Sequence, residues 1–121
     1  MKNQVLSIEQ MKHLQELGVD TSKASAYYYN GDEKMVFFID NIIPVNSVLT
    51  FTLQDMLEMI SNCFTYEYEY KFMYHLGTWY SKYMPMIDDD DYFISSNTNP
   101  LTCAYETLCW LAENKHIGGK K

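Results

Sequence analysis

The sequence predicts an α+β fold: a mostly antiparallel sheet of about five strands with three helices packed on one face. Three observations carry this. From Phe64 to Tyr74 the aromatics fall on alternate residues, which is strand periodicity. Three other segments repeat their apolar residues at helical spacing behind a capping residue. The connections between these pieces are short, which favours antiparallel pairing.

Taken in order, Ser7-Ile8-Glu9-Gln10 has the form of a capping box and opens the first helix. Ile8, Met11, Leu14 and Leu17 give its apolar stripe, and Gly18 suits the left-handed residue that follows a helix. Val19 to Ser25 reads as a loop, and Ala26 to Tyr29 as a short strand. Asn30-Gly31 tolerates positive φ and is the strongest short hairpin signal in the chain, with Lys34 to Ile39 returning as the partner strand. A second tight turn at Asp40-Asn41 leads into Ile42 to Val45, a short or edge strand because Pro44 cannot donate to a ladder. A hairpin or three-stranded meander results.

Thr52, with Asp55 three residues on, caps the second helix, and Leu53, Met56, Leu57 and Ile60 form one face of it. In the Tyr-rich strand, Tyr66, Tyr68, Tyr70, Phe72 and Tyr74 share one face, expected to be buried, and Glu67, Glu69 and Lys71 share the wet one. Gly77 lies in the turn to a returning strand, Trp79 to Met84, which Pro85 ends. Asp88 to Asp91 form a solvated loop and Tyr92 to Ile94 a last strand. Asn99-Pro100 opens the third helix, since Asn caps well and Pro at the first helical position loses no hydrogen bond. Its stripe is Leu101, Ala104, Tyr105, Leu108, Leu111 and Ala112, and residues 115–121 are expected to be a frayed basic tail.

The chain has 121 residues, the size of one domain, and 47% are apolar. A core needs no metal or disulfide staple at this length. Net charge is −7, with basic residues few and scattered. Nucleic-acid binding calls for a basic patch, so direct contact with DNA or RNA is not expected, nor is attraction to an anionic membrane. Three cysteines, Cys63, Cys103 and Cys109, with no CxxC pair, argue against a secreted disulfide framework. The first residues show no signal-peptide core, and no apolar run reaches membrane-spanning length, so a reducing cytoplasm is expected.

Three stretches together, Leu6 to Ser25, Phe51 to Leu57, and Asn99-Pro100 with Tyr105 to Asn114, resemble a group of small proteins from Bacteroidetes genomes and their prophages with no established activity. The resemblance implies a bacterial or phage cytoplasmic protein and transfers no functional residue.

No catalytic signature stands out. Asp88 to Asp91 lack the spacing and the glycine of a calcium loop and read as solvated charge that discourages edge pairing. His13, His75 and His116 have no zinc-ligand spacing and read as surface histidines. Cys103 and Cys109 are six residues apart, on different sides of a helix, and read as packing residues; no metal or cofactor is expected. Trp110 is less ordinary. At 100° per residue it points away from the third helix's stripe, with Cys103 near the same outward line. It is either covered by the N-terminal segment or a loop, or it anchors an interface, where Trp is enriched. Tyr27, Tyr28 and Tyr29 are consecutive, so at least one ring must leave the buried face.

The function expected from this pattern is non-catalytic. The chain is read as an interaction or regulatory factor of phage or mobile-element origin. It would bind a protein partner, or itself as a homo-oligomer, through Trp110, Tyr27, Tyr28 and Tyr29. Two alternatives stand beside it. One is a small enzyme or ligand-binding domain with an unmarked pocket, joining His75 or Cys63 to a carboxylate. The other is an acidic mimic of nucleic acid that blocks a defence protein.

Overall fold

A computed structural model of the protein describes residues 5–40, 43–62, 68–85 and 93–114. The fold is α+β, with three helices among the described residues. The described strands form two three-stranded antiparallel sheets, six strands in all, where one sheet of about five was expected. Several expectations fall on Asn41, Ile42, Cys63, Tyr66, Glu67, Asp88 to Asp91, Tyr92 and the tail from 115 to 121, which lie outside the described residues.

Helix α1 spans Ile8–Glu16. Ser7 and Gln10 form the reciprocal capping box, and Glu33 adds a third acceptor, taking the Ile8 N–H at 2.7 Å. The helix ends at Gly18, whose φ of 95° lets the Gly18 and Val19 N–H groups turn back to the Gln15 and Leu14 carbonyls. Met11 and Leu14 are its buried residues.

The first sheet joins β1 (Ala26–Tyr28), β2 (Val36–Phe38) and β3 (Val48–Thr50) in the order β2-β1-β3. Two expectations fail here. Ile43 to Val45 form no strand, and the third strand is Val48–Thr50, paired with β1 rather than following β2 as a meander would. Pro44 supplies no N–H, a turn at Val45-Asn46 with Asn46 at a φ of 69° follows it, and the ladder resumes only where donors return. The sheet is tied to the N-terminal segment by hydroxyls. Tyr28 and Thr50 both donate to the Leu6 carbonyl, at 2.5 and 2.6 Å, and Val5 bridges to Thr52.

Helix α2 (Leu53–Ser61) starts from the Thr52–Asp55 capping box. The Asp55 carboxylate also accepts the Ser25 N–H and hydroxyl, so one buried side chain caps a helix and pins the loop before β1.

The second sheet is β4 (Tyr68–His75), β5 (Thr78–Pro85) and β6 (Phe93–Asn97), in that order. Helix α3 (Pro100–Glu113) follows, with Asn99 accepting the Leu101 N–H. Ala104, Leu108 and Leu111 join Met11, Leu14, Met56 and Ile60 in the main core.

The side of α3 that the stripe left to solvent carries Cys103, Thr107 and Trp110, and it packs on the second sheet. The Cys103 thiol donates to the Trp79 carbonyl at 3.4 Å, Thr107 shares a hydrogen bond with Ser81 at 2.6 Å, and the Trp110 ring stacks on Phe93 at 5.7 Å. The outward placement of Trp110 and Cys103 is therefore corrected. A helix between a sheet and two other helices is buried on two sides, and its small and hydroxyl residues face the sheet.

Candidate binding surface

The β4–β5 hairpin turns through two residues, Leu76 and Gly77, between paired His75 and Thr78. Both have positive φ, 51° and 84°. Such a turn matches the twist of the strands and favours Asn-Gly or Gly-Gly. Leucine is out of place there, because its Cβ crowds the backbone in the left-handed region. Its side chain gains no cover in return, since Leu76 is 88% exposed.

Beside it Tyr74 is 58% exposed. Its ring meets Trp79 at 4.9 Å, and Trp79 stacks on Phe72 at 5.2 Å. The face that periodicity marked as buried is thus graded. Tyr70 is half-buried, with its hydroxyl on Ser81, which in turn bonds Thr107 of α3. Phe72, Trp79 and Tyr74 run on from there to an apolar tip.

A cleft of about 790 Å³ opens at the N-terminal ends of α2 and α3. Its apolar walls are Phe38, Leu53, Pro100 and Leu101. Thr52, Gln54 and Thr98 supply polar groups, and among the described residues no ionisable side chain lines it. Phe38 is 57% exposed and comes from the edge strand β2. Asn97 pairs with Trp79, so the chain passes from the second sheet directly into Thr98 and the cleft wall.

The tyrosines singled out in the sequence separate. Tyr28 is buried at 3% exposure and belongs to a small core with Val5 and Ala26, so it offers no ring to a partner. Tyr27, on the opposite sheet face, is half-buried against Phe37 at 5.8 Å, and Tyr29 is exposed in the turn after β1. Trp110 is half-buried by Phe93 and Tyr83, and its remaining edge lines a shallow groove with Tyr105 and Cys109.

Burial raises the thiols of Cys103 and Cys109 above their ordinary range, the reverse of what a nucleophile needs. Burial likewise raises the Tyr105 hydroxyl, and pushes Tyr70 up to about 12 against the opposing hydrogen bond from Ser81. His13 and His75 are exposed, and His13 lies 4.0 Å from Glu16. Among the described residues no three His, Cys, Asp or Glu side chains converge as metal ligands, and no helix is long and apolar enough to cross a membrane.

Sequence reasoning missed Leu76, Tyr74 and Phe38. The first had a signal: a two-residue hairpin turn with glycine second favours the I′ form, which takes positive φ at the preceding residue as well. Compared with family models, curated proteins and solved structures, the chain finds no match in any of the three.

Proposed function

We propose that the chain is a non-catalytic binding protein that presents the β4–β5 hairpin tip to a protein partner. The observation that carries this is Leu76, an 88%-exposed leucine held at a φ of 51°. Backbone strain of this kind costs on the order of 1 kcal/mol and persists where something besides folding selects for it. Tyr74 and Trp79 supply the large, rigid rings that interfaces favour. The resemblance to prophage proteins suits an accessory factor of a phage or mobile element.

The experiment places photo-leucine at position 76 and irradiates cells expressing the protein. A covalent adduct to a second polypeptide is expected, and Tyr74→Ser should reduce its yield at least tenfold while leaving the circular dichroism spectrum unchanged. Absence of any protein adduct at position 76 would remove the basis of the proposal.

A further inference from the structure

The cleft between the two helix ends differs chemically from the hairpin tip. It is a cleft open to solvent, and its volume of about 790 Å³ falls within the range of small-molecule sites. Its walls combine residues of both halves of the molecule: Phe38 from the first sheet, Leu53 from α2, and Pro100 and Leu101 from α3.

Two features limit what can bind. First, no lining side chain among the described residues is charged. The nearby acid, Asp55, has its carboxylate engaged inward by Ser25 and Thr52, so it is not offered to a cation. Among the described residues no lysine, arginine or histidine lines the cleft to pair with an anion. An ion seated against these apolar walls would give up part of its water with no charged partner among the described lining residues, which is unfavourable. Second, the polar groups are hydroxyls, amides and backbone N–H groups. The Thr52 oxygen accepts the Asp55 N–H, and the Leu53 and Gln54 N–H groups, in the first turn, have no acceptor within the helix. Thr98 and Gln54 are exposed at the rim.

We infer that this cleft is a binding site for an uncharged small molecule with an apolar body and carbonyl-type acceptors. The body lies between Phe38, Leu53 and Pro100, and an acceptor meets the Leu53 or Gln54 N–H. The site does not depend on the hairpin tip, which lies on another element and contributes no lining residue.

Nile red, a neutral dye with a carbonyl acceptor, is the probe. The expected result is a saturable, one-site rise in its emission with the full chain. Thr98→Trp fills the cleft from an exposed position and should weaken the affinity at least tenfold. Gln54→Trp, from the other wall, should do the same. Leu76→Ser should leave the affinity within twofold. In a parallel titration the anionic dye anilinonaphthalene sulfonate should bind at least tenfold more weakly than Nile red. The inference is overturned if Nile red shows no saturable site, if both filling variants bind it like the parent, or if the anionic dye binds equally well. Loss of Nile red binding in Leu76→Ser with retention in the filling variants would also overturn it, by moving the dye to the tip.

Discussion

Among the described residues, the β1–β2 and β4–β5 hairpins are built on different terms. In the first, β1 and β2 pair over three residues and are joined by a longer, hydrogen-bonded loop in which Asn30 and Gly31 take positive φ, 57° and 71°. In the second, β4 and β5 pair over eight residues and are joined by a two-residue turn with leucine at its first position. The favourable turn residues thus sit where the strands are short, and the unfavourable one sits where they are long. Eight cross-strand pairs hold the second register firmly, so its turn tolerates a residue chosen for another purpose. Three pairs do not, and the first hairpin relies on contacts outside its ladder: Glu33 on the α1 terminus, Tyr28 on the Leu6 carbonyl, and Asp55 on Ser25.

The sharpest break in this contrast comes from Trp110→Ala. It removes the ring that joins α3 to Phe93 and Tyr83 of the second sheet, and should cost about 3 to 4 kcal/mol in urea unfolding. A loss under about 1 kcal/mol, the size of an ordinary surface change, would mean that Cys103 and Thr107, not the Trp110 ring, hold α3 to the second sheet.

Asp55→Ala strikes the other half. Three donors, the Ser25 N–H and hydroxyl and the Thr52 N–H, lose their acceptor together, for about 3 kcal/mol. Asp55→Asn should recover part of that loss, since the amide keeps one acceptor oxygen; equal losses in both variants would show that packing, not the hydrogen bonds, is at stake.

Alkaline pH acts on both halves without mutation, since burial raises the hydroxyls of Tyr28 in the first sheet and of Tyr70 in the second. Tyr70 is pushed up to about 12 by burial, from an ordinary value of 10.0. The unfolded chain releases this proton first, so the stabilisation is complete below the ordinary value and is lost as pH rises from there to about 12. The loss approaches about 2 kcal/mol and should be smaller in Tyr70→Phe; an unchanged alkaline slope in that variant would assign it to other groups.

The smallest effect has the opposite sign. Leu76→Asn relieves the left-handed strain and should stabilise the protein by about 1 kcal/mol, while removing the apolar tip. A destabilised Leu76→Asn, seen as a lower midpoint in thermal melts, would show that the leucine contributes to the fold after all.

Much of the helix structure was legible because its signals are local. The Ser7, Thr52 and Asn99 caps, the end of α1 at Gly18, and the stripes through Met11 and Leu14 or through Leu101, Ala104, Leu108 and Leu111 each depend on neighbours within a few residues. The strand period of β4 was equally plain, because alternation is written in the order of the residues, and β5 was legible as its return after Gly77. Alternation separates two faces without saying how far a neighbour covers either. Tyr70 and Tyr74 share a face, yet one is tied through Ser81 toward α3 and the other is mostly in water. The candidate sites were less legible still. Phe38 and Pro100 lie 62 positions apart, and nothing local marks them as walls of one cleft.

By itself, then, the sequence determined the α+β class, the three capped helices and the alternation of β4, since each follows from backbone hydrogen bonding and side-chain spacing within a short window. Tertiary structure alone decided the split into two sheets, the pairing of Val48–Thr50 with β1, the burial of Tyr28, the second buried side of α3 and the cleft between Phe38 and Pro100. Each of these depends on which surfaces meet, and residues far apart in the chain meet only when the whole apolar surface is buried together.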